Sequence, residues 1–300
     1  MPPRRSGQAQ PDREGHRAIR GARLFVRELG DGPPLVVLHG GPDFNHRYLR
    51  PELDRLATGT RVVYYDQRGR GLSSDGVAPD DVDLAGEIDD LDALRRHLGL
   101  ATFALLGHSW GGVLALEYAL RHPDRVSHLV LLNTAPASHA DYLALRQHRR
   151  TREPGIAAVM QAISQSPAYA RGDLDAEAAY YRAHFGATVR DAEQLADLVG
   201  RLRADFSPAD VLKARAIEQR LYGGTWLDAG YDRLATLAGL ATRALVVHGD
   251  RDLIPLASAA HVADAIAGAR LVVLRDCGHF AHVERPAEVC REIAAFLARR

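Results

Sequence analysis

The feature that most restricts the fold of this chain is an alternation of short apolar runs with segments of helical periodicity. Several runs are apolar at consecutive positions, which is typical of strands buried on both faces of a sheet. The runs span residues 24–29, 35–38, 62–65, 103–106, 129–132, 244–247 and 271–274. Strands that alternate with helices predict an α/β fold with an open, mostly parallel central sheet and helices on both faces.

The alternation stops near residue 135 and resumes near residue 240. Between these points the spacing is helical, with prolines as breaks, over residues 156–163, 174–185, 192–202 and 209–221. We therefore predict a helical cap domain, residues 135–237, inserted into a core formed by residues 19–134 and 238–300. The cap is expected to lie over one edge of the sheet. Residues 1–18 lack periodicity and are predicted to be a disordered tail.

The composition excludes several classes of protein. Among 300 residues, 38 are Lys or Arg and 38 are Asp or Glu, so net charge favours neither nucleic acid nor a membrane surface as partner. No segment approaches the roughly 18 consecutive apolar residues of a membrane span, and the first residues lack the apolar centre of a signal peptide. Cys277 and Cys290 are too few for a disulfide framework. These features predict a cytoplasmic protein.

A glycine-rich turn, GHSWGG, separates the predicted strand at residues 103–106 from a helical segment. It matches G-x-S-x-G in the order strand, sharp turn, helix, an arrangement that holds a serine out of the backbone. Gly107 and Gly111 permit strand and helix to approach closely around Ser109. The helix start directs amides and its positive dipole end at the serine, where an oxyanion would develop. This pattern predicts that Ser109 is a catalytic nucleophile.

A serine nucleophile needs a base and an acid, which are expected downstream in the order Ser, Asp or Glu, His. HGDRD follows the predicted strand at residues 244–247, and CGHF follows the last strand. The carboxyl ends of parallel strands share one edge of a sheet, so we predict that Ser109, Asp252 and His279 converge.

Three further residues could fill these roles. Asp250 competes with Asp252 as the acid, but an Asp beside Gly commonly braces a turn, and Asp252 lies further out on the loop. His282 is the alternative base, whereas His108 is interpreted as a packed turn residue.

Five stretches, HGGP, YYDQRGRGLS, GHSWGG, HGDRD and CGHF, resemble the α/β-hydrolase superfamily and, more narrowly, the proline iminopeptidase group of serine peptidases. The resemblance covers about residues 20–135 and 238–300. It implies an oxyanion hole formed by the backbone amides of Gly41 and Trp110. The sequence itself also indicates Trp110, the residue that directly follows the nucleophile.

The chain departs from this group at two places. Asp43 follows HGGP where the group usually has glycine; we interpret it as a helix N-cap, with a contact to substrate as the alternative. The predicted cap shows no iminopeptidase motif, in which acidic groups hold the free α-amine of the substrate. The acidic residues considered as amine partners are Glu177, Glu193, Asp205 and Glu218. Asp43, Glu177 and Glu218 are retained as candidate substrate-binding residues.

The predicted reaction is acyl transfer to water, in which Ser109 attacks a carbonyl group, His279 transfers the proton and Asp252 orients the imidazole. No metal or organic cofactor is needed. The resemblance favours a small peptide with a free N-terminal proline as substrate. The alternative is a small-molecule ester, lactone or amide.

Two other functional classes are disfavoured. Dehalogenases and epoxide hydrolases carry Asp where Ser109 stands, and a non-catalytic binding relative would be expected to have lost a member of the triad. The sequence makes no prediction of oligomeric state.

Overall fold

A computed structural model, which describes residues 12–152, 154–189 and 191–298, has an eight-stranded sheet at its centre. The strands are β1 (Arg13–Ile19), β2 (Ala22–Leu29), β3 (Pro34–Leu38), β4 (Arg61–Tyr65), β5 (Phe103–His108), β6 (Val126–Leu132), β7 (Arg243–Gly249) and β8 (Arg270–Leu274). Their order is β1-β2-β4-β3-β5-β6-β7-β8. β2 runs antiparallel to both of its neighbours, β1 and β4, and β3 to β8 run parallel to one another. The predicted fold class is confirmed, and all seven predicted runs lie in strands.

Helices follow the strands and fill the interval between β6 and β7. They are α1 (Leu84–His97), α2 (Trp110–Arg121), α3 (His139–Arg152), α4 (Pro154–Ser164), α5 (Pro167–Ala170), α6 (Leu174–Phe185), α7 (Ala192–Leu202), α8 (Pro208–Gly223), α9 (Leu234–Leu237), α10 (Leu256–Ala265), α11 (Ala281–Glu284) and α12 (Pro286–Leu297). The prolines predicted as breaks, Pro154, Pro167 and Pro208, each begin a helix, where a missing N–H costs nothing. In the described part of the chain, no helix is long and apolar enough to cross a bilayer.

The central strands are the most deeply buried part of the molecule. β5 is buried at every position and lies between β3 and β6, whose apolar residues are also buried. Because β5, β6, β7 and β8 run parallel, their carboxyl ends meet at one edge of the sheet. The residues that follow these strands are therefore brought together there.

The predicted disordered tail is wrong for residues 13–18, which form most of β1. β1 pairs with β2 through a two-residue turn, in which Arg20 and Gly21 have φ values of 45° and 81°. This is the combination that a tight hairpin turn requires. β1 is an edge strand with mostly exposed side chains, so it lacks the apolar pattern used to recognise strands. The remaining predicted tail, residues 1–11, lies outside the described residues.

β5 and the first turn of α2 contact each other through backbone atoms. A Cβ atom at Gly107 would lie 2.1 Å from the carbonyl oxygen of Gly111, and one at Gly111 would lie 2.3 Å from that of Leu38. Real Cβ atoms do not approach backbone so closely. The two glycines are therefore required by the packing of β3, β5 and α2.

We expect Gly107→Ala to lower the free energy of unfolding by about 2–3 kcal/mol, because the added methyl group forces backbone atoms apart in a packed interior. Chemical denaturation measures this loss. Gly200→Ala in α7 is the matched control, because a Cβ atom at Gly200 meets nothing within 4 Å. A loss at Gly107 no larger than that at Gly200 would contradict the prediction.

Candidate active site

Ser109 occupies the turn between β5 and α2. Its φ of 54° is unusual for a residue with a side chain and is typical of strained functional turns. The turn is held by β6 and the residues after it: the Ser109 amide donates to the Leu132 carbonyl at 3.1 Å, and the Ser109 carbonyl accepts from the Ala135 amide at 3.1 Å. The side chain is half-buried and lines a cavity.

Asp252 and His279 follow β7 and β8 and meet Ser109 at the same edge of the sheet. His279 Nε2 lies 3.0 Å from Ser109 Oγ, and His279 Nδ1 lies 2.8 Å from Asp252 Oδ1. Because a carboxylate only accepts, the proton is on Nδ1 and Nε2 faces the serine hydroxyl as an acceptor. Asp252 is 2% and His279 4% exposed, so this hydrogen-bonded series is shielded from bulk water.

Asp252 is held in place by three donors. Besides His279, the Ile254 amide donates to Oδ1 at 2.9 Å and Asn133 Nδ2 donates to Oδ2 at 2.8 Å. Burial acts to raise the pKa of Asp252, but the His279 and His248 rings and the hydrogen bonds from His279 and the Ile254 amide lower it below its usual value. Asp252 therefore remains a carboxylate. Asn133 is not among the predicted site residues, although its position directly after β6 is a usable signal.

The alternatives for the acid and the base are not members of the hydrogen-bonded series of Ser109, His279 and Asp252. Asp250 is exposed and accepts from the Cys277 amide at 3.3 Å, which fits the turn-bracing role. His282 Nε2 lies 3.1 Å from the Tyr48 carbonyl, and burial lowers the pKa of His282 to about 3. His108 is fully buried at the end of β5, and burial followed by the His282 and His279 rings lowers its pKa well below its usual value.

The loop after β3 packs directly on the turn that carries Ser109. A Cβ atom at Gly40 would lie 3.0 Å from Ser109 Cβ, and Gly41 lines the same cavity as Ser109. Trp110 is the first residue of α2, so its amide has no acceptor within the helix. The two amides predicted to form an oxyanion hole thus come from the loop and the helix start that flank Ser109.

Tyr48 and His108 connect this loop to His279. The Gly40 amide donates to the Tyr48 hydroxyl at 2.7 Å, and that hydroxyl donates to His108 Nδ1, 2.8 Å away. His108 Nε2 in turn donates to the His279 carbonyl at 3.0 Å. Tyr48 and His108 are fully buried, so the series fixes the relative positions of Gly40 and His279. We infer that Tyr48 and His108 are positioning residues.

Asp43 does not cap a helix, so that interpretation is wrong. The short 3-10 helix His46–Leu49 is capped by Asn45, whose side chain accepts from the Arg47 amide at 2.9 Å. Asp43 is 1% exposed; its Oδ2 forms an ion pair with Arg203 and accepts from the Tyr181 hydroxyl at 2.7 Å. A residue distant in sequence thus supplies the partner, and no local pattern could reveal it.

Asp43 belongs to a cluster of three carboxyl groups and two guanidinium groups. Glu177, which is 0% exposed, pairs with Arg203 at 3.2 Å and with Arg215. Glu218 lines the cavity; burial, followed by the nearby Asp43 carboxylate, raises the pKa of Glu218 to about 8. Within the described residues, Asp43 Oδ1 is buried without a hydrogen-bond partner. One carboxyl group thus lacks a cationic partner in this cluster.

The other two acidic candidates do not lie at the cavity. Glu193 is exposed in the first turn of α7, and Asp205 is exposed and pairs with Arg47. Of the four residues considered as amine partners, only Glu218 lines the cavity itself.

The cavity has a volume of about 330 Å³, which is in the range of sites for small ligands. Ser109 and His279 lie on one wall with Gly41, and the described residues of α3, α6 and α8 supply other walls. Aromatic residues from the segment between β6 and β7 line much of the cavity: Tyr142, Tyr169, Tyr180, Tyr181, Phe185, Tyr222 and Trp226.

A serine, a histidine and an aspartate at the carboxyl edge of such a sheet are typical of hydrolases with an α/β fold. The chain belongs to the alpha/beta hydrolase fold family, whose profile matches residues 33–286, and the protein is a hydrolase.

Two sequence relatives and one solved structure show which hydrolases this chain resembles. The chain is 32% identical to proline iminopeptidase of Levilactobacillus brevis, over 95% of this chain and 96% of that protein. It is also 32% identical to 2-hydroxymuconate semialdehyde hydrolase of Pseudomonas sp., over 93% and 91%. The crystal structure of proline iminopeptidase from Mycobacterium smegmatis superposes with a TM-score of 0.71 at 24% identity, over 95% and 97%. The predicted resemblance to proline iminopeptidases is confirmed.

We expect Tyr48→Phe to lower kcat by about tenfold to a hundredfold with little change in KM, because small displacements of reacting groups slow the chemistry. Steady-state kinetics on any accepted substrate measures the two constants. Tyr118→Phe is the matched control, since it removes a buried hydroxyl that donates to Asp92 and does not line the cavity. Equal effects of the two substitutions on kcat would refute the positioning role.

Proposed function

We propose that the protein is a serine aminopeptidase that releases an N-terminal residue, preferably proline, from short peptides. The observation that carries this proposal is the unbalanced carboxyl cluster beside the nucleophile. Asp43 Oδ1 is buried without a hydrogen-bond partner among the described residues, and Glu218 lines the cavity with a raised pKa. A positively charged amine on the substrate would compensate both groups.

In the proposed reaction Ser109 attacks the carbonyl carbon of the first residue while His279 Nε2 accepts the serine proton. His279 then donates that proton to the leaving amine, and the acyl-enzyme is hydrolysed when His279 activates a water molecule. Asp252 accepts the hydrogen bond from Nδ1 throughout, which fixes the tautomer and stabilises the imidazolium. The Gly41 and Trp110 amides stabilise the oxyanion at the start of α2.

Recognition of the amine is assigned to Glu218 and Asp43, near the loop that carries Gly41. An ammonium group between them would act as the third cation of the cluster. Aromatic side chains at the cavity, among them Phe44, Tyr222 and Trp226, offer ring faces that attract a cation and pack on a proline ring. Glu177 supports this arrangement indirectly, because it holds Arg203 and Arg215.

We also propose that residues 135–237 act as a cap that limits the length of the substrate. α3, α6 and α8, which belong to this segment, contribute much of the cavity wall. A cavity of about 330 Å³ has room for a short peptide but not for a folded chain. The similarity in sequence to a proline iminopeptidase supports the same substrate class.

The alternative substrate is a small ester, lactone or amide without a free amine. The relative named 2-hydroxymuconate semialdehyde hydrolase, which is 32% identical to this chain, keeps this alternative open. A side-by-side assay on proline naphthylamide, its N-acetylated form and a short-chain nitrophenyl ester separates the two. Cleavage of the ester alone would eliminate the aminopeptidase, whereas cleavage of the free-amine amide but not its acetylated form would support it.

We expect Ser109→Ala to lower kcat by a factor of about a thousand or more, because the nucleophile is lost while the oxyanion donors remain. The kcat of the variant is measured on the substrate that the wild type cleaves best. A thermal melt close to that of the wild type is the control for folding. Retention of a tenth of the activity would show that another group is the nucleophile.

We expect Glu218→Gln to raise KM for proline naphthylamide by about tenfold at pH 8.5, because a hydrogen bond to an ionised group is lost. With a pKa of about 8, Glu218 is mostly protonated at pH 6 and mostly ionised above pH 8. The ionised form binds a cationic amine, so the effect of the substitution on KM should be smaller at pH 6. Steady-state assays at both pH values give the comparison.

Two controls belong to this experiment. A nitrophenyl ester has no amine, so its KM should change little with Glu218→Gln. Glu193→Gln, on the exposed first turn of α7, should leave both substrates unchanged. An equal rise in KM for the ester and the amide would remove Glu218 from amine recognition.

A further inference from the structure

One face of α3 places two guanidinium groups at the cavity. Tyr142, Leu145, Arg146 and Arg149 all line it, and their spacing of three and four residues puts them on a single face of the helix. Arg149 contacts His184 Nδ1 at 3.2 Å and Met160 Sδ at 3.8 Å. The Arg146 guanidinium lies 5.9 Å from the Tyr142 ring centre. These partners are a ring nitrogen, a thioether and an aromatic face.

Arg146 and Arg149 differ from Arg203 and Arg215 in their partners. Those two guanidinium groups each pair with buried carboxylates. Arg146 and Arg149 have no ion pair with a carboxylate within the described residues. Burial, followed by the charge of Arg149, lowers the pKa of His184 well below its usual value, so His184 is neutral and offers no compensation. Two positive charges without a carboxylate partner therefore border the cavity, one on the exposed Arg146 and one on the half-buried Arg149.

Arg149 is linked to the catalytic base by ring contacts, whereas Arg146 lies over Tyr142, whose ring stacks on Trp226. The His184 ring is 4.4 Å from that of Phe185, and the Phe185 ring stacks on His279 at 6.2 Å with an interplanar angle of 13°. The carboxyl groups lie close to the loop after β3: Asp43 is two residues after Gly41, whose carbonyl accepts from the Tyr222 hydroxyl at 3.3 Å. Tyr222 is also one turn of α8 after Glu218.

The chemistry of the reaction assigns one part of the substrate to the arginines and the other part to the carboxyl groups. His279 donates its proton to the leaving group, so the leaving group departs on the side of the base. The acyl part carries the free amine, which the proposed function places at Asp43 and Glu218. A leaving group beside Arg146 and Arg149 would be favoured if it carried a negative charge.

We propose that Arg146 and Arg149 bind a carboxylate on the leaving group, so that the preferred substrates are free dipeptides with an N-terminal proline. This inference rests on the proposed function and adds the second half of the substrate. Guanidinium groups suit this task because they bind a carboxylate through paired N–H donors. In the reaction the peptide C–N bond breaks and water supplies the hydroxyl of the released proline. The second amino acid leaves with its carboxylate unchanged and with the proton from His279.

The first test compares prolyl-alanine with prolyl-alanine amide, which differ only in the charge of the C-terminus. We expect the wild type to have a KM about tenfold lower for the free acid, from one charge-assisted interaction. Arg149→Gln and Arg146→Gln should raise KM for the acid towards that of the amide and leave the amide unchanged. Arg150→Gln is the matched control, because Arg150 is exposed on α3 and does not line the cavity.

A second pair of substrates tests the same site without an amine. Para-acetoxybenzoate and para-acetoxybenzamide differ in the charge of the leaving group and share the acetyl group. We expect Arg149→Gln to slow hydrolysis of the charged ester alone.

The outcomes separate this inference from the proposed function. If wild type and variants treat acid and amide alike in both substrate pairs, the anion site is refuted, while cleavage of prolyl-alanine amide still supports the aminopeptidase. If no proline substrate is cleaved but Arg149→Gln selectively slows para-acetoxybenzoate, the aminopeptidase and its dipeptide substrate are refuted and only the carboxylate site on the leaving-group side is retained.

Discussion

The structure depends on the close approach of backbone atoms around Ser109. β5 at the centre of the sheet, the first turn of α2 and the loop after β3 meet at glycines, where added Cβ atoms would lie between 2.1 and 3.0 Å from neighbouring atoms. This packing holds Ser109 at a positive φ and places a helix start behind it. It also brings Gly41 to the same cavity. The position of the serine is therefore set by the scaffold and not by the substrate.

Asp252 and Glu218 illustrate how the scaffold gives the same functional group different electrostatic surroundings. Asp252 accepts from His279, Asn133 and the Ile254 amide, and its pKa falls although it is buried. Burial and the neighbouring Asp43 carboxylate raise the pKa of Glu218 instead. The first carboxylate is fully compensated inside the protein and suits a permanent electrostatic role. The second lacks compensation and suits a role in which a ligand supplies it.

The sequence predicted the parts of this arrangement that depend on local pattern. The apolar runs identified β2 to β8, and the position of Ser109, Asp252 and His279 after strands indicated their convergence. What it missed depends on contacts between residues far apart in the chain. Arg203 pairs with Asp43 from 160 positions away, and the hydrogen bond from His108 to the His279 carbonyl spans 171 positions. Such partners leave no periodic signal, and the edge strand β1 left none because its side chains face solvent.

The Asp43–Arg203 pair joins the two parts of the site. Most charged groups at the cavity come from helices between β6 and β7, whereas the groups proposed for catalysis come from the sheet edge. Asp43 is the exception, because it lies on the loop after β3 and both its carbonyl and its carboxylate accept from Arg203. A buried ion pair adds little net stability once desolvation is counted. We infer that its main effect is geometric: it fixes the helices relative to the loop, so that the groups proposed to bind substrate keep a constant distance from Ser109.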